Sequence, residues 1–174
     1  MKTRFDLHTH CMEATGDSIP KVETVKKIVK QVKKRGLSGI AVTDHDDKEY
    51  GFRVKEIVDQ WFPGEVIIIP GQEIHVHREH VVELFLEDDR VFRFCAHPFF
   101  GKSFENFLDR EGENIHGIEL KNGAWQLLED RVREVARDYK LILLENSDAH
   151  SLKEIGLHYN NMDLADLYNR SEGF

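Results

Sequence analysis

The chain has 174 residues, 40% of them hydrophobic and 32% charged, with a formal net charge of −8. That length fits one domain spanning residues 1–174, and the composition excludes a disordered chain. The acidic balance argues against a broad basic surface for extended nucleic acid, since that mode neutralises many phosphates, but bound metal could still serve a nuclease.

Phe5 and Leu7 mark a first strand that carries Asp6-Leu7-His8-Thr9-His10 at its end. From Val22 to Arg35 a stripe of Val22, Val25, Ile28, Val29 and Val32 predicts a helix, with Pro20 before it and Gly36 as its stop. The buried run Gly39-Ile40-Ala41-Val42 then leads into Thr43-Asp44-His45. Val54, Ile57, Val58 and Trp61 predict a second helix that Pro63-Gly64 ends. Val66-Ile67-Ile68-Ile69 is β-branched, as a buried parallel strand should be, and closes on Pro70-Gly71-Gln72-Glu73. A strand at Val81–Leu86 follows His80, and Val91-Phe92-Arg93-Phe94 leads to Ala96-His97-Pro98. Ser103 is placed to cap a short helix through Leu108. Gly117–Leu120 is a brief strand, and Leu128, Val132, Val135, Ala136 and Tyr139 stripe a helix. Leu141–Leu144 then runs into Ser147-Asp148-Ala149-His150, after which Ser151 and Glu154 have capping-box spacing.

Alternating strands and helices favour a parallel sheet, closed or nearly closed. Residues at the carboxyl ends of barrel strands converge on one face, which is where such folds place their sites. Here those ends repeatedly carry imidazoles and carboxylates, the donor types of a divalent-metal pocket. His8 and His10 are two apart, so an extended strand puts both rings on one face. Asp148 and His150 repeat the spacing at the far end of the chain. Cys11 and Cys95 are too few for a disulfide framework and read as buried, inert thiols. No secretory signal or membrane-spanning stretch is visible, so the expected compartment is the cytoplasm.

The ordered set His8-x-His10, Thr43-Asp44-His45, Gly71-Gln72-Glu73, His80, Ala96-His97-Pro98 and Ser147-Asp148-Ala149-His150 resembles the PHP family (polymerase and histidinol phosphatase domains). The resemblance implies an α/β fold, a distorted seven-stranded (β/α)7 TIM-like barrel holding two or three divalent ions of zinc, manganese or iron. It implies His8, His10, Glu73 and Asp148 as ligands of a first ion, with Glu73 bridging to a second held by His80 and His97. His45 and His150 would hold a third, completed by Glu13 or Asp17; the family's usual serine-aspartate-glycine turn is replaced here by Cys11-Met12-Glu13-Ala14-Thr15-Gly16-Asp17. His75 or His77 could replace His80, although His80 directly precedes the apolar run. Asp44 and Glu119 fit roles behind the ligands, accepting a free ring N–H. His116 and His158 have no supporting pattern.

The reaction implied is hydrolysis of a phosphate ester by metal-activated hydroxide, with Glu73, Asp148 and His150 at its centre and a small phosphomonoester as substrate. Arg53, Lys102 and Lys121 follow strand ends and are candidates for phosphate oxygens. A nuclease for short oligonucleotides or nucleotide-like esters would want a stacking platform, for which Phe99, Phe100, Phe104 and Trp125 are available. A non-catalytic metal-binding domain is a third reading. Metal-dependent C–N hydrolysis, a fourth, usually uses a lysine ligand that the pattern does not supply. The oligomeric state is open.

Overall fold

The computed structural model describes residues 3–173, and nine strands among them form one sheet curled into a nearly closed barrel. Strand β1 (Thr3–Asp6) pairs in parallel with β2 (Gly39–Val42), and β2 with β3 (Ile67–Val76). Next, β4 (Glu79–Phe85) is antiparallel both to β3 and to β5 (Arg90–Cys95). Parallel pairing resumes through β6 (Gly117–Asn122) to β7 (Ile142–Asn146). The barrel closes just past the ends of β7 and β1, where Thr9 and Ala149 bridge and Asp148 N–H and His10 N–H donate to His8 and Ala149 carbonyls at 2.9 Å each. Lower down, β8 (Asn160–Met162) lies antiparallel to β1, and the Asn160 side chain accepts from Glu145 N–H and donates to its carbonyl. A two-residue β9 (Glu172–Gly173) pairs with β5.

The seven-stranded wall matches the expected distorted α/β barrel, but its strand–helix alternation is interrupted at β3–β4–β5. The turns His77-Arg78 and Asp88-Asp89 have all four φ angles positive, between 49° and 74°. Tight turns of this kind can join only antiparallel neighbours, because a parallel return needs a crossover of a dozen or more residues.

Six helices flank the barrel among the described residues: α1 (Cys11–Thr15), α2 (Val22–Lys34), α3 (Lys48–Trp61), α4 (Lys102–Glu111), α5 (Glu129–Asp138) and α6 (Leu164–Arg170). The α2 stripe is buried as its spacing requires. Helix α3 begins earlier than its apolar residues suggest, because the Asp47 side chain accepts from Tyr50 N–H at 3.1 Å. Helix α4 starts after Gly101, one residue before the expected Ser103 cap. Ser151 and Glu154 do not open a helix; they sit in a turn where Glu154 accepts the His150 N–H. No described helix is long and apolar enough to cross a membrane.

Alternation along the strands sorts the apolar side chains. Phe5, Leu7, Ala41, Ile69, Val82, Leu84, Phe92, Phe94 and Leu144 fill the barrel interior. Their strand neighbours Ile40, Val42 and Ile68 face α2 and α3, while Val81, Cys95 and Ile118 face α4 and α5. Apolar filling of the interior leaves the carboxyl-end mouth as the place where polar groups accumulate.

Candidate metal centre

Thr9 turns outward and donates to the Ala41 carbonyl at 2.6 Å, so its neighbours His8 and His10 both point into the mouth, each fully buried. Glu73 is the hub of what they meet. Its Oε1 lies 2.7 Å from His80 Nδ1 and 3.0 Å from His97 Nε2. Its Oε2 faces His45 Nδ1 at 3.1 Å and the Nε2 atoms of His8 and His10 at 3.3 Å each. One carboxylate therefore stands between two sets of imidazoles. Asp148 Oδ1 completes the inner set, 3.0 Å from His10 Nε2 and 3.5 Å from His8 Nε2.

At the rim, the rings of His45 and His150 both stack on His10, each with centroids 4.3 Å away, and lie 6.1 Å from each other. Glu13, on α1, places Oε1 4.0 Å from His45 Nε2 and Oε2 3.8 Å from His150 Nε2. Three donor groups result: His8, His10 and Asp148; Glu73, His80 and His97; and His10, Glu13, His45 and His150.

The inner donors are aimed by residues behind them. Buried Glu119 accepts from His8 Nδ1 at 2.9 Å, His97 N–H at 2.7 Å, Asn122 at 2.8 Å and Asn146 at 2.9 Å. Asn122 also donates to Asp148 Oδ2 at 3.2 Å. Asp6 accepts from Ser147 and Gly156, tying the strand of His8 to the segment that carries Asp148. Burial nonetheless pushes the Asp6 carboxyl up to about 6. His97 and Asp148 both adopt positive φ (27° and 51°), a strained backbone of the kind that concentrates at functional sites.

Charge is unevenly shared within the set. Burial would raise Glu73, but the imidazoles of His10, His8 and His97 beside it outweigh burial and hold the carboxyl far below its usual range. Asp148 is likewise held low, its burial overcome by His10 and His8. Burial opposes protonation of His8 and His10, yet Glu119 and Glu73 raise the first, and Asp148 and Glu73 the second. His45 shifts the other way, lowered by burial and then by His10.

These residues fit a divalent cation better than they fit one another. With its Nδ1 proton on Glu119, His8 turns Nε2 toward His10 Nε2, only 3.1 Å away. Two imidazole nitrogens and two carboxylate oxygens thus converge on one point. Buried Glu73 Oε2 lacks an aligned hydrogen bond among the described residues. A cation at this point would satisfy all of them.

The sequence-predicted residues His8, His10, Glu13, His45, Glu73, His80, His97, Asp148 and His150 are thus brought together. Asp17 is not: it accepts from Thr24 at the start of α2. His75 meets His80 edge-on at 4.1 Å, and His77 pairs with Glu111 at the hairpin tip. Among the described residues no ring N–H donates to Asp44; it accepts from Met12 N–H and so positions α1, with burial raising its carboxyl to about 6. The cation candidates fare less well. Lys121 is paired with Glu145 at 3.1 Å, Arg53 is exposed on α3, and Lys102 lines a groove with Arg78 and Arg110. Among the described residues, no hydrogen bond or ion pair joins any of the three to the donor groups. Sequence reasoning missed Asn122 and Asn146, whose amides follow no recognisable spacing. Both cysteines are buried, and burial raises their thiols far above the ordinary value.

No protein-family model and no curated protein matches the sequence. Solved structures share the fold. PsfC from Pseudomonas syringae is 16% identical with a TM-score of 0.70, over 98% of this chain and 89% of that one. A proposed metal-dependent phosphoesterase from Bifidobacterium adolescentis is 12% identical with a TM-score of 0.72, over 98% and 96%. An amidohydrolase from Chromobacterium violaceum, with bound sulfate and no metal, is 13% identical with a TM-score of 0.69, over 97% of each. At these identities the likeness is one of fold, and it agrees with the PHP-type barrel that the motifs resemble.

Proposed function

We propose that the protein is a metal-dependent phosphoesterase whose substrate is a small phosphomonoester. The observation that carries this reading is Glu73, with one oxygen turned to His80 and His97 and the other to His8, His10 and His45. A carboxylate so placed would serve a cation on either side. When bound, a pair of divalent ions supplies an oxygen nucleophile near neutral pH and neutralises the phosphoryl oxygens.

The chain's own residues do the rest. His8, His10, Glu73 and Asp148 would hold one ion, and Glu73, His80 and His97 would hold the other. His45, His150, His10 and Glu13 form a third, more exposed position at the mouth. Glu73 and Asp148 stay ionised at neutral pH, so both remain donors. Glu119 fixes His8 as its Nδ1–H tautomer and holds the backbone ahead of the His97 ring. His150 donates from Nδ1 to the Asp148 carbonyl at 2.9 Å, which leaves Nε2 turned to Glu13. Apolar packing beneath the site closes the barrel interior to water.

Hydrolysis of a phosphate ester is favoured over a C–N bond because, among the described residues, the lysine ion pairs are Lys33–Glu65, Lys55–Asp59 and Lys121–Glu145, none of them to a donor of the metal centre. The PHP resemblance supports the same choice; the solved neighbours include both a proposed phosphoesterase and an amidohydrolase and do not separate the two. Orthophosphate release should be measured on a panel of phosphomonoesters with manganese- and zinc-loaded protein. The Asp148→Asn variant keeps the side chain's shape but loses its charge, and should lower kcat/KM by about a hundredfold or more with the fold intact. Full activity in that variant at normal metal content would overturn the assignment. So would the absence of release by the wild type with both metals.

A further inference from the structure

Two large aromatic side chains stand exposed beside this centre, Phe99 at 55% and Trp125 at 48%. Both contact His97: the Trp125 ring centroid lies 5.7 Å from the imidazole and that of Phe99 6.1 Å. They meet each other at 5.1 Å and 90°, as two walls of a corner. Their neighbours behave differently. Phe104 is buried, and Phe100 packs edge-on against it within the layer under α4.

The Trp125 wall is anchored to the metal centre. Asn122 Oδ1 accepts from Ala124 N–H at 2.8 Å and Trp125 N–H at 3.1 Å, while its amide nitrogen donates to Glu119 and Asp148. Gly123 lies so close to the segment bearing Asp148 that a Cβ there would come within 2.3 Å of the Ser147 carbonyl. The same amide that steadies a metal-ligand candidate therefore holds the loop that presents the indole. A fixed, exposed indole at a polar cleft offers a flat face to a ligand.

We propose that Trp125 and Phe99 bind a planar unsaturated ring carried by the phosphate ester, so that the substrate is a nucleoside or aryl phosphate of small size. The inference rests on the phosphoesterase reading and names the organic half of its substrate. The ring stacks on Trp125 with its edge toward Phe99 while the phosphate reaches the donors around Glu73. Stacking of this kind contributes about ten- to a hundredfold in affinity.

The test uses metal-loaded protein with Trp61→Phe, which leaves Trp125 as the sole tryptophan of the chain's two. A nucleoside methylenephosphonate, in which carbon replaces the bridging oxygen, and phenylphosphonate should both quench Trp125 emission, whereas methylphosphonate should not. Which of the two binds more tightly separates base from simple aryl. In parallel, kcat/KM for a nucleoside 5′-monophosphate and phenyl phosphate should exceed that for ribose 5-phosphate. Trp125→Ala should shrink that ratio about ten- to a hundredfold, and Trp125→Phe should restore part of it. Equal binding of ringed and ringless phosphonates, with one common effect of Trp125→Ala on all esters, would overturn the proposal and leave the phosphoesterase standing. Absence of orthophosphate from every ester would sink that reading instead, while the quenching still judged the stacking.

Discussion

Replacing Glu119 with glutamine isolates the contribution of the residue behind the ligands. The carboxylate is fully buried and accepts four hydrogen bonds: His8 Nδ1 and Asn146 on Oε1, His97 N–H and Asn122 on Oε2. An amide cannot satisfy them. Whichever oxygen becomes NH2 faces two donors: on the Oε1 side His8 can move its proton to Nε2 and accept, but Asn146 cannot turn because its Oδ1 serves Leu7 N–H and Asn160. Asn122 could flip to accept, but its Oδ1 already serves Ala124 and Trp125. The one hydrogen bond to a charged acceptor that cannot be remade puts the loss of stability at about 1.5–3 kcal/mol, and His8 is left in the tautomer whose Nε2 carries the proton. Loss of the group that fixes a histidine's tautomer should also weaken metal binding about 10- to 100-fold. Urea unfolding of the metal-free variant measures the first quantity and competition against a chelating dye the second. Metal affinity within twofold of the wild type would refute the claim that Glu119 aims His8 and His97.

Glu13→Ala should remove the ion held with His45 and His150 while leaving two per chain, as read by elemental analysis. Asp17→Ala should leave metal content unchanged and cost about 1 kcal/mol through the bond it loses to Thr24. Metal uptake should release protons and tighten as pH rises, because His8 and His10 are raised and hold protons that a cation must displace. In the metal-free protein those two imidazoles stabilise the fold below their ordinary pKa, and that contribution fades as pH rises through the raised values. Glu73 and Asp148 act oppositely, losing theirs as pH falls toward their depressed values. Calorimetry in two buffers of different ionisation enthalpy measures the proton release, and identical heats would contradict it. A thiol reagent should find no reactive cysteine in the native protein and two after unfolding.

Much of the site was legible because two simple periods expose it. Apolar runs name the buried strands, and the two-residue spacing of His8 and His10 predicts a shared face. The histidines and carboxylates just past the ends of those runs mark the mouth. The hairpins were not legible: His77-Arg78 and Asp88-Asp89 adopt positive φ without the Asn-Gly or Asp-Gly that usually announces such turns. Strand β8 was invisible because Asn160 works through its side chain, reaching Phe5, Glu145 and Asn146 rather than filling an apolar run. The choice between Glu13 and Asp17 depended on α1, a five-residue helix positioned by Asp44 accepting from Met12 N–H. No local pattern predicts that contact. Lys121 shows the reverse error, since a cation after a strand end can simply pair with a carboxylate on the next strand, here Glu145.

The central claim is that Glu73 stands between two cation positions, and anomalous diffraction from manganese-soaked crystals tests it most directly. Two peaks should flank this carboxylate, one within about 2.0–2.2 Å of donor atoms from His8, His10 and Asp148, the other equally close to His80 and His97. Peaks elsewhere, or none while His8 Nε2 and His10 Nε2 keep their 3.1 Å contact, would contradict it.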